Sequence, residues 1–217
     1  MSSPEPTESF EIERKYAVDE EAVLPPAEAF AGLGLGLALG DAEEYRLVAQ
    51  YFDTPDFALG AQRVAVRMRR GGADAGWHLK EKGEDGSREL LWPPADEMPA
   101  GLLARIRDRI GEAEAEVRII ATLRTVRTVR RLSSASGAEL VEIADDRVDA
   151  VNELSGFRQR WREWEAELTP GADAAVLDGI ERLLGAAGAQ RVRGTSKIQR
   201  TMRDPGELSV VERRVNA

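Results

Sequence analysis

Apolar and polar residues alternate with a period of two along most of this chain, in runs separated by Gly, Pro or Asp, which is the pattern of strands joined by turns. The alternation predicts strands at residues 10–18, 43–51, 62–70, 76–82, 87–92, 117–132, 138–148, 159–168 and 194–203, with a hairpin turned at Gly71 and Gly72. Helices are predicted at 19–30, near 98–110 and, most clearly, at 173–188, where Val176, Ile180, Leu183 and Leu184 recur with helical spacing. No repeat of solenoid length runs through the chain. A length of 217 residues, most of it in strands, favours one domain around one core. Residues 1–9 read as a disordered polar tail, 10–203 as the domain, and 204–217 as a C-terminal tail or short helix.

The parity of the strands is unusual. In Arg63-Val64-Ala65-Val66-Arg67-Met68-Arg69 the odd positions are largely arginine and the even ones apolar; Phe10 and Ile12 alternate with Glu11, Glu13 and Lys15, and Trp164, Ala166 and Leu168 with Glu163, Glu165 and Glu167. Trp77 and Leu79 alternate with His78, Lys80 and Lys82. Each strand thus has one apolar and one charged face. A half-exposed sheet is the plain explanation, but its wet face mixes neutral polar residues, whereas here carboxylates gather on some strands and cations on others. If the sheet closes, the apolar faces turn outward beneath helices and the charged faces line a lumen. Crowding such charges is costly without partners. A polyanion together with a divalent metal satisfies both sets.

Composition narrows this reading. Cysteine is absent, which excludes disulfides, zinc–thiolate sites and thiol nucleophiles. No apolar run is long enough to span a bilayer, so no membrane association is expected, and the N-terminus lacks a secretory pattern, making the cytoplasm the default location. The net charge of -9 argues against general nucleic-acid binding. A monomer or homodimer is expected. Of the 30 basic residues only Lys15, Lys80, Lys82 and Lys197 are lysine, and all four fall on candidate lumen strands.

The motifs occur in a characteristic order: Glu11-Ile12-Glu13-Arg14-Lys15, Tyr51-Phe52-Asp53-Thr54-Pro55, Val66-Arg67-Met68-Arg69-Arg70, Trp77-His78-Leu79-Lys80-Glu81-Lys82-Gly83, Glu163-Trp164-Glu165-Ala166-Glu167-Leu168 and Ser196-Lys197. Glutamate pairs two residues apart suit a hard cation that prefers oxygen ligands. In combination the motifs resemble the CYTH superfamily, the triphosphate tunnel metalloenzymes, over roughly residues 10–203. The resemblance implies an α+β fold: an antiparallel eight-stranded β-barrel forming a tunnel with a charged lumen and helices packed outside, binding a triphosphate-containing small molecule or polyphosphate with Mg²⁺ or Mn²⁺. It implies Glu11, Glu13, Asp146, Glu165 and Glu167 as metal ligands. Arg67, Arg69, Lys80, Lys82, Arg127 and Lys197 become phosphate contacts, and Lys15 a catalytic base or substrate contact. Arg124, Arg130 and Arg131 compete with Arg127 for its register. Members show Arg-x-Glu after the lysine strand, whereas Ser87-Arg88-Glu89 here shifts the arginine to the other face.

The activity implied is hydrolysis of a triphosphate, inorganic triphosphate first, with thiamine triphosphatase and class IV adenylyl cyclase as alternatives and a polyphosphate-binding module as the non-enzymatic one. His78, the only histidine, has no assigned role. The Gly32-Leu33-Gly34-Leu35-Gly36 stretch lacks nucleotide-loop spacing and reads as a connector. Asp53 and Thr54 read as turn formers before Pro55.

Overall fold

Alternation becomes pairing in the computed structural model, which describes residues 5–203. Among the described residues eleven strands form one antiparallel sheet: β1 (Thr7–Glu11), β2 (Glu13–Val18), β3 (Ala38–Leu39), β4 (Glu43–Asp53), β5 (Val64–Arg70), β6 (Gly76–Lys82), β7 (Ser87–Trp92), β8 (Arg118–Ser133), β9 (Glu139–Asn152), β10 (Arg158–Leu168) and β11 (Gln190–Val192). The helices are α1 (Ala27–Ala31), α2 (Ala58–Ala61), α3 (Ala100–Ile110), α4 (Val176–Ala186) and α5 (Lys197–Met202). A 3₁₀ segment, Gly111–Glu116, follows α3.

The sheet order is β1-β7-β6-β5-β4-β8-β9-β10-β2-β11, with β3 beside β8. The expected closed barrel of eight strands is not what the pairing forms: the sheet has eleven strands, ten of them on an open path and β3 off it. At Ile12 the N-terminal strand changes partner, since Glu11 lies opposite Ser87 of β7 and Glu13 opposite Glu167 of β10. One predicted strand therefore becomes two, which stand towards opposite ends of the path although a single residue separates them in the chain. Thr7, Glu8 and Ser9, expected in a tail, pair with β7. The expected segment 204–217 lies outside the described residues.

Two other expectations change for local reasons. The helix expected at 19–30 shrinks to α1, because Pro25 and Pro26 remove backbone donors and Pro26 holds an extended ψ of 163°. The strand expected at 194–203 is instead α5. Ser196 and Gln199 form a reciprocal capping box, Gln199 N donating to Ser196 Oγ at 3.3 Å and Ser196 N to Gln199 Oε1 at 2.9 Å. The hairpin does turn at Gly71 and Gly72, both at positive φ; a Cβ on Gly71 would stand 2.2 Å from the Arg46 carbonyl oxygen.

Apolar faces point outward beneath helices. Val64, Val66 and Met68 of β5 pack with Trp77, Leu79, Leu90 and Trp92 against Leu59 of α2 and Leu102 and Ile106 of α3. Val176, Leu177, Ile180 and Leu184 of α4 cover Tyr16, Ile143, Trp164 and Ala166. Each Val, Leu, Ile or Met side chain among them contributes about 1.5–3 kcal/mol on burial. α5 departs from the expected arrangement, since Ile198 and Met202 pack on Tyr51, Leu123 and Trp161 and Ile198 lines the cavity on the charged side of the sheet.

Asp53 does serve a turn. Its carboxylate accepts from Thr54 N at 2.8 Å, Leu59 N at 2.9 Å and Gly60 N at 2.9 Å, holding the entry to α2 at the end of β4. Asp53→Ala leaves those buried donors without a partner. It is expected to lower stability by about 2 kcal/mol in a urea unfolding curve; a change below about 0.5 kcal/mol, as at an ordinary surface site, would show that the turn forms without it.

Candidate active site

The charged face of the sheet surrounds a cavity of about 520 Å³. All twelve side chains picked out above line it: Glu11, Glu13 and Lys15 from β1 and β2, Arg67 and Arg69 from β5, Lys80 and Lys82 from β6, Arg127 from β8, Asp146 from β9, Glu165 and Glu167 from β10, and Lys197 from the first turn of α5. Register explains the convergence. Arg127 is paired with Asp146, Asp146 with Glu163, Glu165 with Lys15, and Glu167 with both Glu142 and Glu13. Arg131 also faces in, while Arg124 is exposed on the other face and Arg130 reaches toward the Gly40 carbonyl, which decides the arginine register.

Arg127 and Lys197 anchor one wall. Arg127 donates to Asp146 twice, at 2.7 and 2.6 Å, and to Glu165 Oε2 at 2.6 Å. Lys197 Nζ lies 2.9 Å from Asp146, 2.6 Å from Glu163 and 2.7 Å from Glu165. Burial works against ionising Asp146 and Glu165, yet Lys197 and Arg127 hold the first below the usual carboxylate range and Lys15, Lys197 and Arg127 hold the second well below it. Lys15 itself pairs with Glu13 at 3.0 Å and with Glu165. Burial opposes its charge, but Glu13 and Glu165 raise its pKa well above the ordinary value. The base role expected for Lys15 needed the opposite shift.

The neighbouring carboxylates are differently placed. Lys80 pairs with Glu11 and, at 3.4 Å, with Glu13. Glu167 has no ion pair or side-chain hydrogen bond among the described residues. Burial, helped by Glu13, pushes Glu167 up to about 7; burial, helped by Glu89, pushes Glu11 up to about 8.

Across the cavity Arg67 and Arg69 sit side by side on β5. Burial, with Arg67 and Arg127 close by, pushes Arg69 down to about 9, so it remains cationic at neutral pH in a crowded positive field. Its guanidinium meets the Asp74 carboxylate in the β5–β6 connection. Arg67 donates to Glu89 Oε1 at 3.2 Å and approaches His78 Nδ1 at 3.4 Å, and His78 Nε2 lies 2.9 Å from the Asp74 carbonyl oxygen. Burial pushes His78 down to about 4, leaving it neutral at pH 7. Lys82 is the peripheral member, donating to the Gly194 carbonyl at 2.8 Å.

Oxygen donors suited to a hard cation are present. Carboxylate atoms of Asp146, Glu163 and Glu165 lie within 4.8 Å of one another, and Glu11 and Glu167, whose ionisation burial opposes, line the same cavity. A family model for the CYTH domain matches residues 9–202. The chain belongs to the CYTH domain family, which includes triphosphatases and adenylyl cyclases.

Two proteins of Mycobacterium tuberculosis, uncharacterized protein MT2285 of strain CDC 1551 and uncharacterized protein Rv2226 of strain H37Rv, are each 35% identical to this CYTH chain over 231 residues. Each alignment covers 96% of this chain, which spans only 43% of the relatives' length. A candidate adenylate cyclase of Bacillus halodurans shares the fold with a TM-score of 0.60 and 21% identity, covering 90% of this chain and 99% of its own. So does a candidate adenylyl cyclase of Hippeastrum described as having a dominant triphosphatase activity, with a TM-score of 0.55 and 19% identity, covering 94% of this chain and 98% of its own.

Parity alone left several residues of this CYTH site without a role. Glu89 stands between Arg67, His78 and Glu11, and burial notwithstanding, Arg67 and His78 hold its carboxyl well below the usual range. Glu163 joins the Asp146 cluster and accepts from Trp161 Nε1 at 2.6 Å. Tyr51 lies opposite Arg67 in the β4–β5 register and lines the cavity with it. Glu89 shares the cavity face with Lys80 because the β6–β7 register sets the two opposite each other. Arg88 takes the outer face and pairs with Glu8 at 2.6 Å and Glu81 at 3.2 Å.

Proposed function

We propose that this CYTH domain hydrolyses a triphosphate-bearing substrate in a metal-dependent reaction, with inorganic triphosphate as the simplest substrate. The observation that carries this reading is the juxtaposition, around one cavity, of crowded guanidiniums (Arg67, Arg69, Arg127) and a carboxylate wall that includes the unpaired Glu167. An anion and a cation bound together relieve both.

The three guanidiniums present planar forks to non-bridging phosphate oxygens, and Lys80, Lys82 and Lys197 add point charges that offset the charge spread over the transferred phosphoryl group. Mg²⁺ or Mn²⁺ held by carboxylates drawn from Glu11, Glu13, Asp146, Glu165 and Glu167 would supply Lewis-acid neutralisation of phosphate oxygens. Lys15, kept protonated by Glu13 and Glu165, acts as a hydrogen-bond donor to the substrate. Water attacks the terminal phosphorus, the bond to the bridging oxygen breaks, diphosphate leaves and the water proton passes to a wall carboxylate. Glu167, at about 7, is suited to take it near neutral pH.

Phosphate release is the deciding measurement, on triphosphate, thiamine triphosphate, ATP and long-chain polyphosphate, with and without Mg²⁺ or Mn²⁺. Release from triphosphate only when metal is present is expected. Cyclic AMP and pyrophosphate from ATP would replace this reading by the cyclase one, and tight binding without turnover under either metal would replace it by a binding module.

A further inference from the structure

Part of the outer face of the sheet has no helix over it among the described residues. α2 and α3 cover β5, β6 and β7, and α1 and α4 cover the surroundings of Trp164. Between them the cross-strand row Arg70, Val48, Arg124, Asp149, Arg160 runs over five strands, and Arg46, Val126 and Arg147 form the next row. Strands lie about 4.8 Å apart, so Arg70, Arg124 and Arg160 recur roughly every 10 Å across the sheet.

These arginines are free to meet a ligand. The side chains of Arg46, Arg147 and Arg160 are 79%, 51% and 81% exposed. Glu44 lies 3.3 Å from Arg46, Asp149 3.0 Å from Arg160 and Glu20 4.0 Å from Arg147, exposed pairs worth little, and Arg124 has no carboxylate within ion-pair distance among the described residues. Five arginines against these three carboxylates make a cationic strip on a chain whose net charge is -9. A local excess of one sign on an uncovered face raises the potential that an anion meets there.

The strip also begins at the rim of the cavity. Arg70 follows Arg69, Arg46 follows Tyr45, and the inward member of each pair lines the cavity with Gly72 and Asp74 of the β5–β6 connection. An anionic chain too long for the cavity would meet Arg70 and Arg46 first on leaving over that edge. The residues between the arginines, Val48, Gln50, Val126 and Thr128, include no aromatic platform for stacking bases, which favours a ligand recognised by phosphate alone. We infer that this face docks linear inorganic polyphosphate, whose end lies in the cavity. The inference rests on the triphosphate reading of that cavity.

The test compares the whole chain with the triple variant Arg46→Ser, Arg124→Ser, Arg160→Ser and with its Arg→Lys counterpart, after thermal unfolding confirms that all three fold. Binding of long-chain polyphosphate is measured in EDTA at two salt concentrations, and triphosphate hydrolysis with metal. The serine variant is expected to bind long-chain polyphosphate at least about tenfold more weakly and with a shallower salt dependence, the lysine variant to keep most of the affinity, and both to hydrolyse triphosphate like the parent. Unchanged long-chain affinity in the serine variant overturns the inference. An equal affinity and an equal loss for oligothymidylate or polyglutamate also overturns it, making the face a general anion surface. If no protein releases phosphate from triphosphate while the serine variant still loses long-chain affinity, the docking face stands and the catalytic reading fails.

Discussion

Glu167→Gln is expected to abolish metal-dependent phosphate release, by about 100-fold in kcat/KM, while making the metal-free protein more stable in alkaline solution. The two effects share a cause. Burial, with Glu13 beside it, raises the Glu167 pKa from the ordinary 4.5 to about 7, so the folded protein holds a proton that the unfolded chain has already released. A raised folded value contributes stability below pH 4.5 that is lost as pH rises through about 7. By pH 9 the ionised carboxylate costs about 1–2 kcal/mol, allowing for screening by solvent at a half-buried site, and glutamine removes that cost. Thermal unfolding in EDTA from pH 5 to 9 should therefore show the parent falling behind the variant above pH 7. Added Mg²⁺ should stabilise the parent most at the upper end and the variant little. Parallel pH profiles for the two proteins, or full activity in the variant, would remove Glu167 from the site.

Arg127→Met is the change expected to damage folding most. The guanidinium makes three charge-assisted bonds to Asp146, which is fully buried, and to Glu165, whose side chain is 6% exposed. Methionine fills much of the volume but leaves both carboxylates short of a counter-charge, which costs about 3 kcal/mol. Phosphate release should fall with it, because the same group lines the cavity in which the triphosphate is proposed to bind. Adding Asp146→Asn to Arg127→Met removes one stranded charge and should recover part of the stability but none of the activity, a coupling that urea midpoints of the four proteins of the cycle measure. If the single variant loses no more than an exposed pair is worth, under about 1 kcal/mol, Lys15 and Lys197 suffice and Arg127 is not the hub of that wall.

The site was legible because a strand puts residues i, i+2 and i+4 on one face. Glu11, Glu13 and Lys15 share parity, as do Arg67 and Arg69, Lys80 and Lys82, and Glu165 and Glu167, and the cavity lining follows parity in every case. Lys197 reached the cavity by another route. Ser196-Lys197-Ile198-Gln199 was read as part of a strand, yet its S-x-x-Q spacing is a capping box, and Ile198 and Met202 stand four apart on one helix face. That signal was present and outweighed by the polar–apolar alternation around it. The shortened α1 was equally visible in Pro25 and Pro26.

What parity cannot express is partnership. Whether Lys15 is a base or an ion-paired donor depends on Glu165, a residue 150 positions away that the β2–β10 register sets against it. Glu165 and Glu167 have the same residue type, strand and face, yet the first is held well below the carboxylate range by three cations, whereas burial, helped by Glu13 and only partly offset by Lys80, raises the second to about 7. The partner switch at Ile12, which spreads Glu11 and Glu13 over two strand pairs, is likewise set by hydrogen bonding to β7 and β10. Periodicity and residue type alone determined which strand side chains share a face, since both are local properties of an extended chain. Tertiary structure alone decided their charge states and pairings, because these depend on distances between strands far apart in sequence and on how far each group is withdrawn from water.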